Sequence, residues 1–178
     1  MKNLLFYLVC SLPMAAWSQE STFQDEFAGM IQYNSERVVA LAEAIPAETY
    51  NWRPAEGVRS VGETIAHTAA ANYFFSTMLG GELPEGIDPG KFEETLQGKE
   101  EIIEALKKSY QFIAETGKGI ADESLFDEVS FPTGEKFNKR TMLMIAQSHV
   151  SEHMGQLIAY ARMNGITPPW SEVGVQSN

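Results

Sequence analysis

The chain has 178 residues, with 13 Lys+Arg against 24 Asp+Glu and a formal net charge of -11. That length supports one domain with a real core, not two. The acidic balance argues against nucleic acid and anionic membrane surfaces, both of which reward clustered Lys and Arg, and leaves small neutral or cationic molecules as partners.

Residues 1–18 read as a secretory signal peptide. Lys2 is a short positive start, Leu4 to Cys10 begins an apolar run, and Ala16-Trp17-Ser18 sets small residues two apart before Gln19. The run is too short to span a bilayer, which takes about 20 apolar residues. The alternative is an N-terminal anchor or a frayed first turn. Cys10 is the only cysteine, and Tyr7-Leu8-Val9 before it does not resemble a lipoprotein attachment site. The expected mature domain, residues 19–178, therefore has no disulfide and no cysteine ligand. The expectation is an exported protein, periplasmic or extracellular, without a stable membrane anchor after cleavage.

Four segments carry helical periodicity. The first, about Ser21 to Ile45, has Phe23, Phe27, Met30, Ile31, Asn34, Val38, Leu41 and Ile45 on one stripe, and Pro46 stops it. Tyr50 and Trp52 lie in a short connection. The second runs from Ser60 to Leu79. Ser60 and Glu63 form an S-x-x-E capping box, in which each side chain satisfies the other's free backbone amide, and Gly80-Gly81 ends the helix. Leu83 to Gly90 holds two prolines and two glycines and reads as loop. The third helix covers about Gln97 to Thr116, with Ile102, Ile103, Leu106, Tyr110 and Ile113 inward and Gly117 and Gly119 as its end. Val129 to Phe137, around Pro132-Thr133-Gly134, reads as a small turn or hairpin. Asn138 is the expected N-cap of the fourth helix, which runs to Asn164 before Gly165 and Pro168-Pro169. The pattern predicts an all-α antiparallel four-helix bundle, with a short hairpin-like loop before the last helix and no sheet core.

The three histidines carry the functional signal. His149 and His153 are four apart, so on a helix they share a face one turn apart. Steps of about 100° per residue from His149 put His153 at about +40°, Gln156 at about −20° and Tyr160 at about +20°, all on the inward stripe. His67 lies on the second helix among Ala66, Ala69, Ala70 and Ala71, small residues that let another helix approach. Two imidazoles from one helix and one from another make a three-nitrogen face for a divalent metal, with a position open to water or substrate. The competing explanation is core histidines satisfied by hydrogen bonds. Two buried imidazoles side by side would repel if protonated, and a metal removes that conflict. Glu152 completes an H-x-x-E-H segment, the inverted zinc-protease pattern. That pattern needs an acidic ligand far downstream, and only 25 residues follow His153. Glu152 and Tyr160 are then candidates for proton transfer, with Gln156 as a positioning group. Glu152 as a solvated helix glutamate is the plain alternative. No phosphate-binding G-x-x-x-x-G-K-[ST] and no G-x-S-x-G motif is present. Trp52 and Trp170 read as packing residues.

Three stretches together resemble the DinB/YfiT-like superfamily of four-helix metal-binding proteins. Trp52-Arg53-Pro54 with Ser60-Val61-Gly62-Glu63-Thr64-Ile65-Ala66-His67 is similar to its W-x-P and second-helix histidine. His149 to Leu157 is similar to its H-x-x-x-H-x-G-Q, and Gly165-Ile166-Thr167-Pro168-Pro169 to its G-[IV]-x-P-P ending. The resemblance implies an up-up-down-down type bundle, a nickel or zinc ion on His67, His149 and His153, and a homodimer. Characterised members of that superfamily include thiol-dependent transferases and isomerases, and the open three-histidine site gives the expectation of a metal-dependent enzyme of hydrolase or thiol-transferase type, acting on a small molecule that the sequence does not identify. The alternative is a non-catalytic metal-binding or stress-related binding protein.

Overall fold

The computed structural model describes residues 21–174. The expected leader, residues 1–18, lies outside them. The elements are α1 (Phe23–Ala44), α2 (Val61–Met78), a one-turn α3 (Phe92–Thr95), α4 (Gly98–Lys118), strands β1 (Glu128–Ser130) and β2 (Lys136–Asn138), and α5 (Lys139–Met163). Short 3-10 turns cover Ala47–Thr49, Asp122–Ser124 and Pro169–Gly174.

Local chemistry sets three of the four long starts. Thr22 caps α1 by accepting from the amide of Asp25. At α2 the capping box is complete: the Glu63 amide donates to Ser60 Oγ at 3.2 Å, and the Ser60 amide donates to Glu63 Oε2 at 2.7 Å. Asn138 Oδ1 accepts from the Thr141 amide at 2.8 Å and starts α5. At the far end of α5, Gly165 takes φ +71°, a conformation that side chains with a Cβ disfavour.

Gly117 departs from the expectation that it ends the third helix. It lies inside α4, and a Cβ there would sit 2.4 Å from a ring carbon of Phe27. Its role is close approach between α4 and α1. Met30, expected on the inward stripe of the first helix, is 48 % exposed.

Helices α4 and α5 each pack against both α1 and α2, so α1 and α2 sit diagonally across the bundle. Their directions follow from contacts at the ends. Lys99, early in α4, donates from Nζ to the carbonyls of Glu43 and Ile45 at the end of α1, so those two helices are antiparallel. Gly62 faces Ile102 and Gly81 faces Thr116, so α2 and α4 are parallel. Phe27 and Leu143 both abut Gly117, which makes α1 and α5 parallel. The directions are up, down, down, up. This differs from both the simple antiparallel bundle and the up-up-down-down order expected from sequence. The cause is the long connection from Leu79 to Gln97, which carries the chain back to the end where α2 began.

The core joins all four long helices. Ile31 and Leu41 of α1, Ile65 of α2, Leu106 and Ile113 of α4, and Met142, Leu143 and Leu157 of α5 are fully buried. α2 is apolar nearly all round because α3, α4 and α5 all cover it. The hairpin pairs Glu128 with Asn138, Val129 with Phe137 and Ser130 with Lys136, as an antiparallel flap over the start of α5. Among the described residues, no helix is long and apolar enough to cross a membrane.

Candidate metal centre

α2 and α5 run antiparallel past one another, and this crossing brings the three histidines together. Ring centroids lie 4.4 Å apart for His149 and His153, 4.8 Å for His67 and His153, and 5.2 Å for His67 and His149. One ligand-capable nitrogen from each lies within 4.8 Å of the other two. All three rings are half-buried.

Each imidazole's second nitrogen decides what the first can do. His67 Nδ1 lies 2.6 Å from Glu93 Oε1. An ionised carboxylate only accepts, so Nδ1 carries the proton and Nε2 keeps its lone pair. His153 Nδ1 lies 2.9 Å from Gln156 Oε1, and Gln156 Nε2 donates to the Tyr160 hydroxyl at 2.7 Å. The amide oxygen therefore accepts from Nδ1–H, and His153 Nε2 is also free. That bare Nε2 sits 3.2 Å from His149 Nε2. Two lone pairs so close repel unless a proton or a cation stands between them. Two nitrogens bound at about 2.0–2.1 Å with an angle near ~100° would lie about 3.2 Å apart, so the spacing matches the bite of one ion. His149 Nδ1 is buried without a hydrogen-bond partner. His149 Nδ1 stays without a partner whether a proton or an ion stands between the Nε2 atoms, so the fit rests on the spacing and convergence of the three imidazoles. The residues fit a divalent metal.

Burial, followed by the neighbouring His153, His67 and Arg59, pushes His149 down to about 4. His153 is also lowered, chiefly by burial, against the opposing effect of the hydrogen bond its Nδ1 donates to Gln156 Oε1. Both directions favour neutral rings, the form that ligates metal.

Sequence reasoning missed Glu93. It sits on α3, 26 positions after His67 in a segment read as lying beyond the loop, and its other oxygen lies 3.4 Å from Arg59 Nε. No periodicity marks it, because a one-turn helix shows none. A carboxylate on the outer nitrogen of a ligand histidine fixes its tautomer and raises its basicity.

The remaining expected site residues divide. Gln156 and Tyr160 join the site as a chain behind His153, and the Tyr160 ring is backed edge-on by Trp52 at 5.4 Å. Glu152 is exposed, and Ser148 Oγ donates to it at 3.5 Å. Trp52 and Trp170 both pack against the core, with Arg37 stacked 4.2 Å over the Trp170 ring. Beside His67 and His149 opens a cavity of about 320 Å³, lined largely by the Phe74, Phe75 and Phe131 rings.

A bundle with three converging imidazoles, held from behind by a carboxylate and an amide, defines a four-helix protein with a metal-type histidine site. The sequence profile of the DinB family matches residues 18–177, and the chain belongs to that family. YjoA of Bacillus subtilis (strain 168) is 28 % identical over 135 residues, covering 71 % of this chain and 81 % of YjoA. The crystal structure of a DinB-like protein from Bacillus cereus ATCC 10987 superposes with a TM-score of 0.67 at 18 % identity, covering 83 % of this chain and 98 % of that one. YfiT from Bacillus subtilis, described as a probable metal-dependent hydrolase with an unusual four-helix bundle topology, gives 0.64 at 15 % identity, over 88 % and 95 % of the two chains. At these identities the two superpositions establish the shared fold.

Proposed function

We propose that the protein is a metal-dependent enzyme of hydrolase type, with one divalent ion, nickel or zinc, on His67, His149 and His153. The observation that carries this is the three-nitrogen cluster, which no further Cys, Asp or Glu joins among the described residues. Three protein ligands leave a coordination position for water or substrate, as in catalytic sites, whereas structural sites are closed by four. The description of YfiT as a probable metal-dependent hydrolase supports the same assignment.

A bound ion supplies Lewis acidity and lowers the pKa of its water toward ~7. The chain's own groups do the rest. Glu93 holds His67 by Nδ1, and Gln156 holds His153 by Nδ1, so both present Nε2 inward. Tyr160, joined to Gln156, anchors that amide and is a candidate to move a proton on the His153 side. Glu152, exposed beside His153, is the candidate to pass protons to solvent. The same open position would accept a thiolate, which is the thiol-transferase variant of this reading. Export through removal of residues 1–18 and pairing into a homodimer complete the proposal.

The test is elemental analysis of untagged protein beside the His149→Ala/His153→Ala variant, followed by an ester and amide panel run with and without a low-molecular-weight thiol. About one ion per chain, absent from the variant, together with metal-dependent turnover, supports the enzyme. No ion in either protein after reconstitution refutes it. A retained ion without turnover favours the non-catalytic binding protein.

A further inference from the structure

The cavity beside His67 and His149 opens directly onto the metal-type cluster. Its wall is a sequence of aromatic rings. Phe131, just after β1, meets Phe74 edge-on at 5.7 Å; Phe74 meets Phe75 at 5.5 Å; and Phe75 meets His149 at 5.5 Å. Ala70 and Ala71, facing the space from α2, leave it open, and Pro89 closes one side. The polar members of the lining are the two imidazoles and Glu93. Among the described residues, no Lys or Arg lines it. Arg59 is turned to the other oxygen of Glu93.

This composition selects by chemistry. A volume of about 320 Å³ is what roughly ten waters would fill in the liquid, ample for a single phenyl ring. Aromatic walls reward flat apolar groups through burial and edge-to-face contact. A second anionic group carried on the apolar part, away from the ion, would lose its hydration and find no Lys or Arg in the lining.

We infer that the metal-type site acts on a substrate whose reacting polar group is attached to an uncharged aromatic or comparably bulky apolar group, seated against Phe74, Phe75 and Phe131. This rests on the metal reading above. The hairpin gains a function from it, because β1 delivers Phe131 to the pocket. The hairpin then sets specificity while α2 and α5 supply the metal-type face.

Hydroxamates serve as probes, because their polar end binds zinc whatever they carry. The purified chain is loaded with zinc and titrated calorimetrically with acetohydroxamate, benzohydroxamate and 4-carboxybenzohydroxamate. Benzohydroxamate is expected to bind about tenfold or more tighter than acetohydroxamate, the scale of burying one ring. The added carboxylate is expected to remove most of that gain. Phe131→Ala and Phe74→Ala, made separately so that a folding defect in one does not decide the matter, are expected to shrink the gap while zinc uptake and acetohydroxamate affinity stay unchanged. Zinc uptake with equal affinities for the acetyl and benzoyl probes, or tighter binding of the carboxylated one, overturns this inference and leaves the metal site standing. Absence of zinc uptake overturns both.

Discussion

Replacing Glu93 should weaken metal binding without removing any ligand. The Glu93 carboxylate accepts from His67 Nδ1 at 2.6 Å, a charge-assisted contact, and the Glu93 side chain is 33 % exposed. Loss of such an outer partner typically costs 10–100-fold in metal affinity, about 1.4–2.7 kcal/mol. Partial exposure to water places this contact in the lower part of that range. Glu93→Gln keeps an acceptor for Nδ1–H and loses the charge, so a drop of about tenfold is expected. Glu93→Ala also frees the ring to turn, and a drop of about thirtyfold is expected. Affinity is read by competition against a chromophoric zinc chelator at neutral pH, with circular dichroism melts of the metal-free proteins as the folding control. Unchanged affinity in a folded Glu93→Ala protein would refute the claim that this carboxylate positions the ligand.

Further outcomes follow from other residues. His153→Ala removes one of the facing Nε2 atoms and should abolish retention of metal through a desalting column, whereas Glu152→Gln, on the exposed flank, should retain it. Gly117→Ala should destabilise despite a helix-propensity gain of about 1 kcal/mol, because the new methyl meets the Phe27 ring; a net loss of about 1–2 kcal/mol corresponds to a Tm lower by roughly 2–8 °C, and an unchanged or higher Tm contradicts the packing argument. Ser60→Ala breaks the capping box and should cost about 1 kcal/mol in urea unfolding. In metal-free protein, His149 is depressed from 6.5 to about 4, so the unfolded chain binds the extra proton between those values. Its contribution to stability is present above pH 6.5 and is lost as pH falls toward 4. The wild type should therefore lose more stability across that window than His149→Gln, and parallel pH profiles would count against it.

The sequence by itself determined whatever is local. Ser60 with Glu63, and Asn138 before α5, mark helix starts within about one residue of their observed places, because a cap is a contact between neighbours in the chain. His149 and His153 share a face because they are one turn apart, and the same spacing put Gln156 and Tyr160 beside them. The run of histidine, amide and hydroxyl along α5 was legible for that reason. What required tertiary structure were the meetings of distant segments. The long return from Leu79 to Gln97 sets the up-down-down-up order, which no periodicity encodes. The same segment carries Glu93 to the outer nitrogen of His67, and the hairpin carries Phe131 to the cavity. Gly117 resembled a terminator in one dimension, since glycine commonly ends helices, and proved to be a point of close approach once Phe27 of α1 lay against it. Helix faces are written in intervals of three and four residues. Which faces meet, and what loop side chain is set behind a ligand, is decided by packing across the whole bundle.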